Sequence, residues 1–128
     1  MIGHGKRMLP CAAIVVAAVL LACGATPAFA HALLRKASPG VGSTVHAAPM
    51  EIDLTFSEGV EPSLCRVVVS NAAGTEVATG TLQTAPDNPK LLIAPLKPVG
   101  AGVYTVTWHA TSVDTHKTDG RFVFTVAP

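Results

Sequence analysis

The sequence predicts an all-β fold, an immunoglobulin-like antiparallel β-sandwich or barrel of about seven strands with Greek-key connections. Three observations predict it. Beyond residue 30 no stretch sustains the 3.6-residue apolar spacing of an amphipathic helix. Short runs of alternating or β-branched residues recur in its place, separated by turns rich in proline and glycine. Such runs, crowded into residues 31–128, suit two small sheets packed face to face.

The first thirty residues stand apart from that domain. Lys6 and Arg7 give a short positive front, and residues 11–23, CAAIVVAAVLLAC, form an unbroken apolar run. That run is too short for a spanning helix, which needs about 20 residues. A helix-breaking GATP follows, then the small-x-small exit Ala28-Phe29-Ala30. The pattern is that of a secretory signal peptide, 1–30, removed to leave residues 31–128 as the working domain. A lipoprotein-type cut before Cys23 is the alternative, because LLAC partly resembles such a box. Leu21 is not the usual small residue there, so the exit after Ala30 is favoured.

The elements then follow in order. HALLRKA leads into the turn SPGVGS. In MEIDLTF, Met50, Ile52, Leu54 and Phe56 alternate with Glu51, Asp53 and Thr55, as expected of a strand with one wet face. After SEGVEPS comes LCRVVVS, where Cys65 shares a side with Val67 and Val69, predicting a buried, inert thiol. The turn NAAG precedes a strand TEVATGTL, a loop QTAPDNPK and a strand LLIAPL. KPVGAG turns the chain into VYTVTWHAT, whose Tyr104, Val106 and Trp108 alternate with Thr105, Thr107 and His109 and are expected to fill the core. GRFVFTVAP closes the domain with Phe122 and Phe124 on one side. The prolines of VEPS and APLKP belong at edges or turns, since proline cannot donate to a ladder.

Charge and cysteine usage exclude several classes. The chain holds nine basic and eight acidic residues. Lys6 and Arg7 leave with the leader, so seven face eight and the domain sits near −1. That is neither a nucleic-acid footprint nor a membrane-seeking surface. No second apolar run reaches spanning length, so the processed protein is expected to be soluble, extracytoplasmic and not membrane-embedded. Cys11 and Cys23 also lie in the leader, leaving Cys65 alone. A secreted domain with one thiol has no internal disulfide and must be held by its core.

Two places carry chemistry. Cleavage after Ala30 makes His31 the first residue, and its free amine and imidazole Nδ1 then close a six-membered chelate ring on one metal ion. Nitrogen donors in a tetragonal arrangement suit Cu(II), which tops the divalent affinity series. Alternatively, peptidase has merely left a histidine behind. Near the other end lies TSVDTHKTDG, where Asp114 and His116 are two apart and, in an extended segment, project to the same side. Alone, that triplet also suits an ordinary turn with aspartate capping backbone N–H groups. Together, three nitrogens and one oxygen complete a four-coordinate Cu(II) plane. His46 and His109 join no tight donor spacing and are expected on the surface.

The domain resembles the CopC family of periplasmic copper-binding proteins over nearly its whole length. The resemblance rests on HA after the leader, SPGVGSTVHAAPMEIDLTFSEGVE, GVYTVTWHATSVDTH and the closing DGRFVFTV. It implies an immunoglobulin-like fold, Cu(II) as ligand, and metal ligation by His31, Asp114 and His116. It also implies a place for Glu58 beside the copper, where that carboxylate is expected to orient a donor more than to ligate. Some members carry a methionine-rich loop for Cu(I). Here Met1 and Met8 lie in the leader and only Met50 remains, so soft thioether ligation has no support.

The expected function is copper sequestration, transport or resistance, without catalysis. The resemblance implies a separately encoded inner-membrane copper protein as partner. Binding is expected to release protons, since the terminal amine, with a free pKa of about 8, must be neutral to ligate. Two rivals stand beside this. One is a histidine-brace copper oxygenase, in which Asp114 would occupy a position that oxygen needs open. The other is a metal-free immunoglobulin-like interaction module.

Overall fold

The computed structural model describes residues 32–128, so the leader expected over 1–30 and His31 itself lie outside the described residues. The strands are β1 Leu34–Ser38, β2 Thr44–Val45, β3 Glu51–Phe56, β4 Arg66–Ser70, β5 Glu76–Val77, β6 Gln83–Ala85, β7 Asn88–Pro95, β8 Gly102–Thr111 and β9 Lys117–Val126. They form a four-stranded sheet ordered β1-β3-β7-β6 and a five-stranded sheet ordered β2-β9-β8-β4-β5. Only β4–β5, β6–β7 and β8–β9 are neighbours in both sequence and space, and every other connection crosses between sheets. That is the Greek-key sandwich the turn spacing predicts.

The core follows from period-two alternation on the inner faces. Ile52, Leu54 and Phe56 of β3, Leu92 and Ala94 of β7, Val67 and Val69 of β4, and Phe122, Phe124 and Val126 of β9 are all buried. Tyr104, Val106, Trp108 and Ala110 of β8 complete the layer. Phe56 and Trp108 meet edge to face at 5.2 Å, while Tyr104 and Phe124 stack at 5.5 Å. Both separations lie in the favourable range for ring pairs. Tyr104 also donates its hydroxyl to the Gly100 carbonyl at 2.7 Å, tying the crossing loop to β8. Such a hydroxyl-to-backbone corner is a hallmark of Greek-key sandwiches. The alternation of β8 places Tyr104 in the core but gives no sign of that second role.

Trp108 has a demanding cross-strand partner. It lies opposite Gly120, where a Cβ would approach the indole Cζ2 to 2.7 Å. Only glycine lets the ring lie flat across β9 at that point.

Several local expectations need correction. Nine strands are present: the seven runs read from sequence each supply one, and β2 and β6, of two and three residues, are added from segments read as turn and loop. The β2–β9 pairing is parallel, since β2 joins β9 by crossing from the other sheet. Met50 is 85% exposed and precedes β3 instead of starting its buried row. QTAPDNPK is a hairpin, not a loop: Ala85 pairs with Asn88, whose Oδ1 accepts from the Lys90 amide at 3.0 Å. Conversely, TEVATGTL supplies only β5 and an isolated bridge from Thr79 to Leu96, because this segment is the crossover. The prolines sit at element ends as expected. Pro62 opens a single 3-10 turn, Pro62–Leu64, and Pro95 ends β7. Among the described residues no helix is long and apolar enough to cross a membrane.

Candidate metal centre

At one end of the sandwich, the hairpin between β8 and β9 meets the loop that follows β3. The hairpin tip runs from Ser112 to His116. Ser112 is almost fully buried and holds the tip in three places. Its amide donates to the His116 carbonyl at 2.9 Å, its carbonyl accepts from the Thr115 amide at 2.8 Å, and its Oγ accepts from the His116 amide at 3.1 Å. Thr115 turns the chain with φ of 71°, a left-handed conformation uncommon for a β-branched residue. Asp114 and His116 therefore do not share an extended strand, as their spacing suggested. A tight turn brings them together.

The second loop is fastened to this hairpin by backbone bonds. Val60 bridges Ser112, the Glu61 amide donates to the Thr111 carbonyl at 2.9 Å, and the Val113 amide donates to the Gly59 carbonyl at 3.0 Å. Glu58 is thereby carried to the hairpin tip. One ligand atom from each of Glu58, Asp114 and His116 lies within 4.8 Å of the others. Asp114 and His116 are exposed, whereas Glu58 is half-buried. Its Oε1 is shielded from solvent and has no hydrogen-bond partner among the described residues. A carboxylate oxygen in that condition calls for a partner, which a cation at the cluster would supply.

A third strand of chain reaches the same edge. Ala32 is completely buried and its carbonyl accepts from the Thr118 hydroxyl at 2.7 Å. The Leu33 amide donates to Ser57 Oγ at 2.9 Å, and the Ser57 amide returns a bond to the Leu33 carbonyl at 2.8 Å. Ser57 precedes Glu58, and Thr118 lies two residues past His116. The polypeptide directly after His31 is thus tied beside both donor-bearing segments.

Of the residues singled out from sequence, Glu58, Asp114 and His116 come together. His46 and His109 are outside the cluster; His109 is exposed on the outer face of β8, opposite Arg66 and Asp119. Cys65 is half-buried, its Sγ accepting from the Thr111 amide at 3.4 Å, and burial pushes its thiol pKa up. Sequence reasoning missed the hydroxyls of Ser57, Ser112 and Thr118. The signal was present for two of them, which stand immediately before Glu58 and two residues after His116.

Two carboxylates and an imidazole form a mixed O/N donor set that a divalent transition ion accepts. The CopC domain model matches residues 34–127. Protein YobA of Escherichia coli K12 is 38% identical over 111 residues, covering 85% of this chain and 90% of that protein. The crystal structure of CopC from Methylosinus trichosporium OB3b is similar with a TM-score of 0.72 and 32% identity, covering 77% of this chain and 95% of that one. PcoC, described as a methionine-rich copper resistance protein from Escherichia coli, is similar with a TM-score of 0.67 and 33% identity, over 77% of this chain and the whole of that one.

Proposed function

The chain belongs to the CopC family, and from that premise we propose that it is a periplasmic Cu(II)-binding protein that sequesters or carries copper. The signal peptide 1–30 is removed, His31 becomes the first residue, and its amine and imidazole bind the ion together with Asp114 and His116. Glu58 is a further donor on the same ion, a stronger role than its sequence alone suggested. Copper here is cargo; the protein acts by holding and releasing it, not by turning over a substrate. An inner-membrane copper protein is the partner that takes or supplies it.

One observation carries this reading: donor atoms from Glu58, Asp114 and His116 converge within 4.8 Å at the edge where Ala32 is buried. His31 is one peptide bond from Ala32, and consecutive Cα atoms are about 3.8 Å apart. An amine and an imidazole added to the cluster convert an oxygen-rich set into one rich in nitrogen. That change favours Cu(II) over harder ions. PcoC is described as methionine rich, whereas only Met50 remains beyond the leader here, which favours Cu(II) over Cu(I).

The test joins intact mass with spectroscopy. The exported protein should begin at His31 and take up one Cu(II), followed through the fluorescence of Trp108, the only tryptophan. His116→Ala should alter the Cu(II) electron-paramagnetic spectrum and weaken binding while the apo domain stays folded. A variant retaining one residue before His31 should also bind more weakly. An exported protein starting elsewhere, or an unchanged spectrum in His116→Ala, sinks the proposal.

A further inference from the structure

We infer that Ser57 and Thr118 are positioning residues, whose hydroxyls clamp Ala32 and Leu33 so that the amino terminus is held at the metal centre before any ion arrives. The inference rests on the proposed role of His31 and adds how that terminus is kept in place.

Chain ends ordinarily fray unless something ties them down. Regular pairing between β1 and β3 begins only at Leu34 opposite Phe56, and a bulge interrupts it between Leu34 and Lys36. Ahead of it, among the described residues, the Ser57 amide donates to the Leu33 carbonyl. Side chains also tie this stretch down, Thr118 Oγ1 donating to the Ala32 carbonyl and Ser57 Oγ accepting from the Leu33 amide. Ala32 is wholly buried, so its carbonyl has no access to water as a substitute donor. The Thr118 bond spans 86 positions of sequence and joins the two ends of the domain.

Each clamp lies on a segment that also carries a metal donor, Ser57 beside Glu58 and Thr118 just past His116. Fixing the arm to those segments fixes it relative to the donors themselves. A two-nitrogen chelate at a frayed end would have to be ordered on binding, at an entropic cost; an arm already clamped avoids it. Groups that hold a donor without touching the metal typically alter affinity by about 10–100-fold when removed.

Thr118→Val removes the hydroxyl at nearly constant shape, Thr118→Ser keeps it, and Ser57→Ala tests the second clamp. Each is compared with the exported wild-type protein by Cu(II) competition titration, electron-paramagnetic spectroscopy, and amide hydrogen exchange of the metal-free form. Expected are a roughly tenfold weaker Cu(II) affinity in Thr118→Val, rescue in Thr118→Ser, and loss of Leu33 amide protection in metal-free Ser57→Ala. Should wild type bind one Cu(II) and Thr118→Val bind it equally well with the same spectrum, the clamp is refuted while the copper reading stands. Should wild type bind no Cu(II), that reading fails by itself. The clamp is then judged by exchange alone: a protected Leu33 amide that Ser57→Ala exposes supports it, and an unprotected one in wild type overturns it.

Discussion

The aromatic corner around β8 and the donor-bearing rim at the sandwich edge are built by opposite means. In the corner, Trp108 packs against Phe56 and lies across Gly120, and Tyr104 stacks on Phe124 while its hydroxyl pins Gly100. Shape decides everything there, because the interior is packed at crystal-like density and nothing can yield. At the rim, Asp114 and His116 are exposed, and the loops that carry them are stitched by hydroxyls and backbone bonds to Ser112, Gly59 and Thr111. Hydrogen bonds of this kind contribute about 1 kcal/mol each. The rim is therefore free to vary in chemistry without loss of fold, whereas the corner is not. A site made from loops on a rigid two-sheet scaffold is how such folds host function.

The sharpest separation of the two regions comes from Gly120→Ala. The added methyl would sit 2.7 Å from the Trp108 ring, which is itself held by Phe56. Overpacking of this sort costs about 3 kcal/mol at the upper end of its range. In a domain of this size that corresponds to a Tm lower by about 15 °C. Thermal unfolding followed by circular dichroism measures it. Cu(II) stoichiometry of the folded fraction should be unchanged at low temperature; a Tm within about 2 °C of wild type would show that the ring moves aside and that the corner is softer than its geometry implies.

What the sequence made legible divides along the same line. The inner rows of β3, β8 and β9 were readable because burial on one face imposes period-two alternation, and Ile52, Val106 and Phe124 obey it without exception. The short edge piece β2 was not readable, because two residues carry no period, and β5 was read as a strand but too long for the same reason. β6 was hidden because QTAPDNPK has the composition of a loop although its middle is a two-residue turn. At the rim, Asp114 and His116 stood out by spacing, yet the reason they meet is the turn at Thr115, which no spacing rule reveals. How Glu58 reaches that tip was hidden for a related reason. Its approach depends on the Val60 to Ser112 bridge, a contact between segments far apart in sequence.

Glu58 supplies the next largest effect. Replacement by glutamine keeps the shape and removes the charge. If the buried Oε1 meets the ion, Glu58→Gln should weaken Cu(II) binding by about tenfold, equivalent to about 1.4 kcal/mol, and shift the electron-paramagnetic spectrum. Apo stability should be retained or slightly raised, because the wild-type oxygen is buried with no hydrogen-bond partner among the described residues. That combination, a weaker holo form and an undiminished apo form, is the reverse of what Gly120→Ala produces. Equal affinity with an identical spectrum would remove Glu58 from the ion and return it to a role of orienting another donor.

The smallest effect belongs to Cys65, which sits between the two regions. Its side chain packs against the buried core, and its Sγ is the acceptor for the Thr111 amide at the root of the hairpin that carries Asp114 and His116. Burial pushes the thiol pKa above the ordinary value, with the nearby Glu61 charge adding to it and hydrogen bonds from the Thr111 and Glu61 backbones opposing it. The folded state therefore favours the protonated thiol. Its contribution to stability is complete below the unfolded thiol pKa of about 8.5 and declines as pH rises from there through the folded value. Unfolding by denaturant at pH 7 and pH 10 should show a small alkaline loss in wild type that Cys65→Ala lacks. Alkylation of the native thiol at pH 8 should likewise be slower than that of the unfolded chain. If native and unfolded protein react at the same rate, Cys65 is more open than its contacts indicate, and the hairpin root must breathe as freely as the rim it supports.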